Sequence, residues 1–170
     1  SLSKIPFDLD SKNYNKFCQE ILDNKGNLFL MGIGKSGNIA EKVCSTLSST
    51  GTPAIYISAA EASHGDLGVL TKKDLLIIFS FSGETEEILK ILPTCAKKVK
   101  KILSITGNKT STLANNAKIT IDLKIDEEAC PMDLAPTTSS TSMLLLGDAI
   151  AISLLEAKNF SPKDFAENHP

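Results

Sequence analysis

The chain has 170 residues, 42% apolar and 22% charged, which suits one globular domain with one sizeable core. A formal net charge of −2 gives no field for nucleic acid or a membrane surface, SLSKIPFDLD does not read as a signal peptide, and no apolar run approaches the ~20 residues of a membrane span. Four cysteines, Cys18, Cys44, Cys95 and Cys130, are far apart with no C-x-x-C pair, which argues against a zinc knuckle and fits a reducing cytoplasm.

The first predicted element is a helix over residues 11–24, with Tyr14, Phe17, Cys18, Ile21 and Leu22 at helical spacing. Asp10 or Ser11 caps it and Gly26 ends it. NLFLMG reads as a buried strand, and Ile39, Val43 and Leu47 continue as a helix from the following glycine turn to Gly51. AIYIS is a second strand, followed by EASHGDLGVL, a polar connection punctuated by glycine. DLLIIFS, residues 74–80, is apolar on both faces, as strands inside a parallel sheet are. SGETEE opens a helix, KILSIT is a fourth strand, a short helix falls near 110–116, and KITIDL is a fifth strand. The loop KIDEEACPMDLAP leads to a long helix over 137–158, apolar nearly all round and so buried in a core or a subunit interface. Ser161 and Pro162 then start a last helix as N-cap and first helical residue.

This alternation predicts an α/β fold with a doubly wound, mainly parallel five-stranded sheet sandwiched by helices. Residues 1–170 form one domain, with an N-terminal helical segment over 1–26 and a C-terminal helix or tail over 159–170. In such sheets ligands lie beyond the carboxyl ends of the strands, which directs attention to the loops 32–37, 58–68 and 80–87.

The turn GIGKSG carries two competing labels. A triphosphate loop needs a glycine at position 29, where Phe29 stands. The dinucleotide spacing of Gly32, Gly34 and Gly37 fits a strand-to-helix turn, but the acid expected ~20 residues later is missing, because the nearest is Glu61 beyond the second strand. A third reading joins this turn to SFSGETEE. Ser80, Ser82 and Thr85 around Gly83, with the free N–H groups of a helix start, make a socket for one phosphate. The plainer alternative is that Ser82 and Thr85 only cap their helix. Lys35, His64, Glu87, Glu128 and His169 are candidates for proton transfer around the socket.

GIGKSGNIAEK, STGTPAIY, AEASHGDLG, SGETEEI, EEACPMDLAPTTSSTSMLLLGDAIAISLL and FAENHP occur in this order from about residue 27 to 170. Together they resemble the sugar isomerase (SIS) domain of D-arabinose-5-phosphate isomerases. The resemblance implies interconversion of D-ribulose 5-phosphate and D-arabinose 5-phosphate on the way to the Kdo sugar of lipopolysaccharide, with no cofactor, in a homotetramer whose active sites lie between subunits. It implies catalytic roles for Lys35, Glu87, Glu128 and His169. It places His64, Gly51 and Thr52 near the substrate and matches Ser80, Ser82 and Thr85 to the phosphate loop; the two glycine turns themselves add Ser36 as a phosphate ligand and Gly34 and Gly83 as substrate-binding positions. Ser58 stands where many members of that family have a histidine, which implies loss of a zinc ligand and no metal. Family chains often continue past the terminal His-Pro into regulatory domains.

Aldose–ketose isomerisation through an enediol needs a base near neutrality and a partner that shuttles the oxygen-bound proton. A carboxylate raised by partial burial, or a histidine, suits that work, and a lysine can steady the enediolate. The competing functions are another sugar-phosphate isomerase such as a 6-phospho-3-hexuloisomerase, a sugar-phosphate sensor without turnover, and a dehydrogenase.

Overall fold

The structure, a computed structural model, describes residues 10–169. The part of the expected N-terminal segment before residue 10, and Pro170 of the terminal His-Pro pair, lie outside the described residues. Five strands, β1 (Leu28–Gly32), β2 (Ala54–Ser58), β3 (Leu75–Phe79), β4 (Lys101–Thr106) and β5 (Ile119–Asp122), form one sheet in the order β2-β1-β3-β4-β5. Every pairing is parallel. β1 and β3 are buried at every position, as their continuous apolar runs require of strands covered on both faces.

The two faces carry two cores. On one, α1 (Ser11–Leu22), α2 (Gly34–Ser49) and the 20-residue α6 (Thr138–Ala157) cover Leu30, Leu75, Ile77 and Leu103. On the other, α3 (Ala59–Ala62), α4 (Glu86–Lys98) and α5 (Thr112–Asn116) cover Met31, Leu76 and Ile78. Beyond α6 the chain ends in α7 (Pro162–Asn168). The expected doubly wound sandwich is therefore present.

Three local expectations are corrected. Gly26 does not cap α1, which ends on Asp23. Gly26 is there because a Cβ would stand 2.1 Å from the Lys73 carbonyl oxygen. The connection after β2 is not simply loop, since it holds α3 and a 3-10 turn, Asp66–Val69. Finally, α6 does reach the length and apolarity of a membrane span. It packs as a core helix, however, with Met143, Leu146, Ile150 and Leu154 buried and Asp148 held 2.8 Å from Lys42 of α2.

One buried charge organises the amino edge of the sheet. Asp74, 1% exposed, accepts from the backbone N–H groups of Asn27 (2.8 Å) and Thr71 (2.7 Å) and from the Thr71 hydroxyl (2.9 Å). Burial pushes its carboxyl up, but these donors outweigh that and hold it below the usual aspartate range. A depressed folded pKa gives stability that is present above the unfolded value and lost as pH falls through the folded one. Asp74→Ala leaves buried donors unpaired and is expected to cost about 3 kcal/mol in denaturant unfolding. The deficit against the parent should shrink as the solution is acidified below the usual aspartate range.

Candidate active site

At the carboxyl edge of the sheet lies a pocket of ≈ 430 Å³. Three segments wall it: the start of α2 with Lys35 and Ser36, the turn before α4 with Ser82 and Thr85, and the loop 125–136 with the start of α6.

The first two walls form an anion socket. Neither helix start is closed by a side-chain cap: α2 has Ile33 at its N-cap, and Thr85 at the N-cap of α4 makes no capping bond. The Thr85 hydroxyl turns to Ser80 instead, at 2.9 Å. The plain capping alternative for Thr85 therefore fails, and N–H groups and helix dipoles point at the pocket from two helices. Ser82 accepts from the Glu84 N–H at 3.1 Å, a local turn that fixes its hydroxyl beside the pocket.

Ser80 differs from the expectation. It is 2% exposed and does not line the pocket; its hydroxyl accepts from the Gly83 N–H at 3.1 Å and holds the turn from behind. Gly34 and Gly83 give the two turns their backbone shape, with φ of +56° and +66°. At Gly83 space is tight as well, because a Cβ would stand 2.1 Å from the Ser111 hydroxyl oxygen. Gly83→Ala is expected to lower stability by about 2 kcal/mol and to weaken phosphate-ester binding together with it, as read by thermal melting with and without inorganic phosphate.

The third wall holds Glu128. Its Oε2 accepts from the backbone N–H groups of Thr137 (2.8 Å) and Ser139 (3.0 Å) and from the Thr137 hydroxyl (3.2 Å). Burial pushes this carboxyl up, yet the donors of Ser139 and Thr137 prevail and hold it below the usual glutamate range. The expected upward tuning is thus reversed, and Glu128 is an ionised carboxylate at neutral pH. Asp126, Glu127 and Asp133 share the wall, so negative charge faces the socket across the pocket.

The sequence reading missed Ser139 and Ser140, which line the pocket at the start of α6. Their signal was the hydroxyl run 137–142, which passed as the polar beginning of an apolar helix.

Besides Ser80 and the turn glycines Gly34 and Gly83, five further expected site residues do not line the pocket. His64, in the connection after α3, and Glu87, in the first turn of α4, are exposed and do not line it. Gly51, Thr52 and His169 are at the opposite edge of the sheet. Gly51 and Thr52 precede β2, and Lys158 Nζ donates to the Gly51 carbonyl (3.0 Å) and binds the Thr52 hydroxyl (2.8 Å). The ring of Phe160 fills the space beside Gly51, and Asn168 donates to the Ser49 carbonyl at 3.3 Å. His169 stacks on Phe165 at 4.0 Å, with Nδ1 2.9 Å from the Phe165 carbonyl oxygen. This cluster stands at the far end of α2, whose 16 residues measure ~24 Å. Within one chain it does not meet Lys35 and Glu128.

Among the described residues no group of three or more His, Cys, Asp or Glu side chains could hold a metal ion.

A parallel α/β sheet with two open helix starts at its carboxyl edge defines a class of phosphate-binding domain. The SIS domain family matches residues 21–153, and the chain belongs to that family. An arabinose 5-phosphate isomerase, KdsD, from Francisella tularensis subsp. tularensis is 48% identical over 100% of this chain and 53% of its own. The isomerase KpsF from Escherichia coli O6:H1 is 46% identical, likewise over 100% of this chain and 52% of its own. The chain thus spans about half the length of these curated relatives. A solved Escherichia coli CFT073 protein in complex with arabinose 5-phosphate superimposes with a TM-score of 0.95 at 38% identity, over 99% of this chain and 89% of that one.

Proposed function

We propose that this chain is an aldose–ketose isomerase domain that interconverts D-arabinose 5-phosphate and D-ribulose 5-phosphate. The observation that carries this reading is the pairing, in one pocket, of an anion socket from two helix starts with Lys35 and an ionised Glu128. The relatives named arabinose 5-phosphate isomerase and the neighbour solved in complex with that sugar phosphate support the particular substrate.

In this reading Ser36, Ser82, Thr85 and the N–H groups of α2 and α4 hold the phosphate. Ser80, Gly34 and Gly83 shape the two turns. Glu128 takes the proton from C2 of the open-chain aldose, and the C1 carbonyl oxygen gains a proton to give the enediol. C1 is then protonated while the C2 hydroxyl loses its proton, leaving the ketose; no oxidant or cofactor is needed. Lys35 steadies the negative enediolate.

Gly51, Thr52 and His169 join the pocket when a second copy docks its amino-edge cluster there, and the partner subunit's His169 moves the oxygen-bound proton. His64 and Glu87, exposed at the pocket's edge of the sheet, face the same junction. Such an assembly is a homo-oligomer, and a tetramer fits the half-exposed Ile152 and Phe165. Residues 1–170 act as one domain, with 159–170 at the subunit interface. Four free cysteines, three of them buried, suit a cytoplasmic role in lipopolysaccharide sugar synthesis.

The test is ketose formation from arabinose 5-phosphate with chelator present and no nucleotide added. Turnover under these conditions is expected; tight binding without turnover would instead make the chain a sugar-phosphate sensor.

A further inference from the structure

Thr137 occupies the N-cap of the 20-residue α6, yet its side chain caps nothing. An N-cap threonine ordinarily accepts from an N–H two or three residues on. Here Oγ1 turns the other way, donating to Glu128 Oε2 at 3.2 Å and accepting from the Ala129 N–H at 3.0 Å. Its backbone N–H donates to the same Oε2, as does that of Ser139. Glu128 has in effect replaced Thr137 as the cap of α6. These three donors meet one oxygen, and the Ser139 side chain adds a further hydrogen bond to the carboxylate. On the other side the Glu128 N–H donates to Asp133 Oδ1 at 2.6 Å, so its backbone is pinned as well. Thr137 does not itself line the pocket, whereas Glu128 does.

We propose that Thr137 is a positioning residue, which clamps Oε2 of Glu128 and so sets the orientation of the carboxylate toward the substrate. This rests on the reading of Glu128 as the base. The clamp has two consequences. It fixes the rotation of the carboxylate, so that the group is held in one orientation toward the carbon-bound proton. It also adds a hydroxyl donor that favours the ionised form. The other charged groups on this pocket are Lys35 from α2 and Asp126, Glu127 and Asp133 from the loop. None of these receives a hydrogen bond from the Thr137 side chain.

Thr137→Val keeps the branched shape and the backbone N–H but removes the hydroxyl. With arabinose 5-phosphate as substrate, kcat should fall by about tenfold with KM little changed, from the loss of one hydrogen bond to a charged group. The acid limb of the kcat profile should move to higher pH, and Thr137→Ser should restore both. In a Glu128→Gln background the same substitution should change the residual rate by less than about twofold. An unchanged kcat and pH profile in Thr137→Val, or an equal loss in both backgrounds, would overturn the clamp. Carbon NMR titration of the Glu128 carboxyl supplies a second measurement that needs no turnover. Its midpoint should be higher in Thr137→Val than in the parent, and an unmoved midpoint overturns the proposal. Because the titration decides the clamp in an inactive chain too, failure of the isomerase reading and failure of the clamp are separate results.

Discussion

Glu128→Gln is expected to lower kcat for arabinose 5-phosphate by roughly a thousandfold, the size of a lost general base. The fold should survive the change. A glutamine side-chain oxygen can still accept from the Thr137 and Ser139 N–H groups, so α6 keeps its cap and loses only the charge on its dipole, about 0.5 kcal/mol. A collapse of kcat with a nearly unchanged melting temperature therefore separates the chemical role of this carboxylate from its structural one. The pH dependence follows from the direction of its shift. Because its pKa is depressed, Glu128 stays ionised through the mildly acidic range, and the acid limb of the parent's profile should lie below the usual glutamate range. A base this weak cannot by itself remove a carbon-bound proton quickly; Lys35 and the two helix starts must stabilise the charge that develops on the substrate oxygens. Lys35→Met should accordingly depress kcat as well, whereas a Glu128→Gln enzyme within a few-fold of the parent would remove Glu128 from the reaction.

The fold was legible because its strands are short continuous apolar runs separated by helical periodicity. β1 and β3 could be read almost to the residue, since a strand covered on both faces has no polar position to disguise it. The socket was half legible. Sequence counts hydroxyls but does not give their direction, so Ser80 and Ser82 look equivalent, although one is buried behind the turn and the other faces the pocket. Gly26 shows the same limit. Its neighbour across space, the carbonyl of Lys73, is 47 positions away in the chain, and a capping rule that looks only along the chain assigns it the wrong reason. Glu128 was found, but its electrostatics were inverted. Partial burial argues for a raised pKa, and the donors that reverse it come from a helix start nine and eleven residues later. The connection after β2 was read as loop because α3 has four residues, too few for a helical period to show.

Mixing two inactive variants should restore activity. Glu128 lies at the carboxyl edge of the sheet and His169 at the amino edge, separated by the length of α2, and His169 is held there by α7. No side-chain rotation covers ~24 Å, so if both act on one substrate they come from different chains. Glu128→Gln and His169→Ala homo-oligomers each lack a working site. A mixed oligomer pairs the intact Glu128 of the second variant with the intact His169 of the first, and that junction is complete. Unfolding and refolding the two together, or co-expressing them, should therefore recover turnover well above either variant alone, while the reciprocal junction stays dead. If one chain supplied both groups, every site in every mixture would be defective and no recovery would appear. The double variant Glu128→Gln/His169→Ala mixed with the parent gives the reference, because there each mixed junction carries one defect and activity should only be diluted. Recovery in the first mixture and dilution in the second would establish that the histidine at the end of this chain works in another chain's pocket.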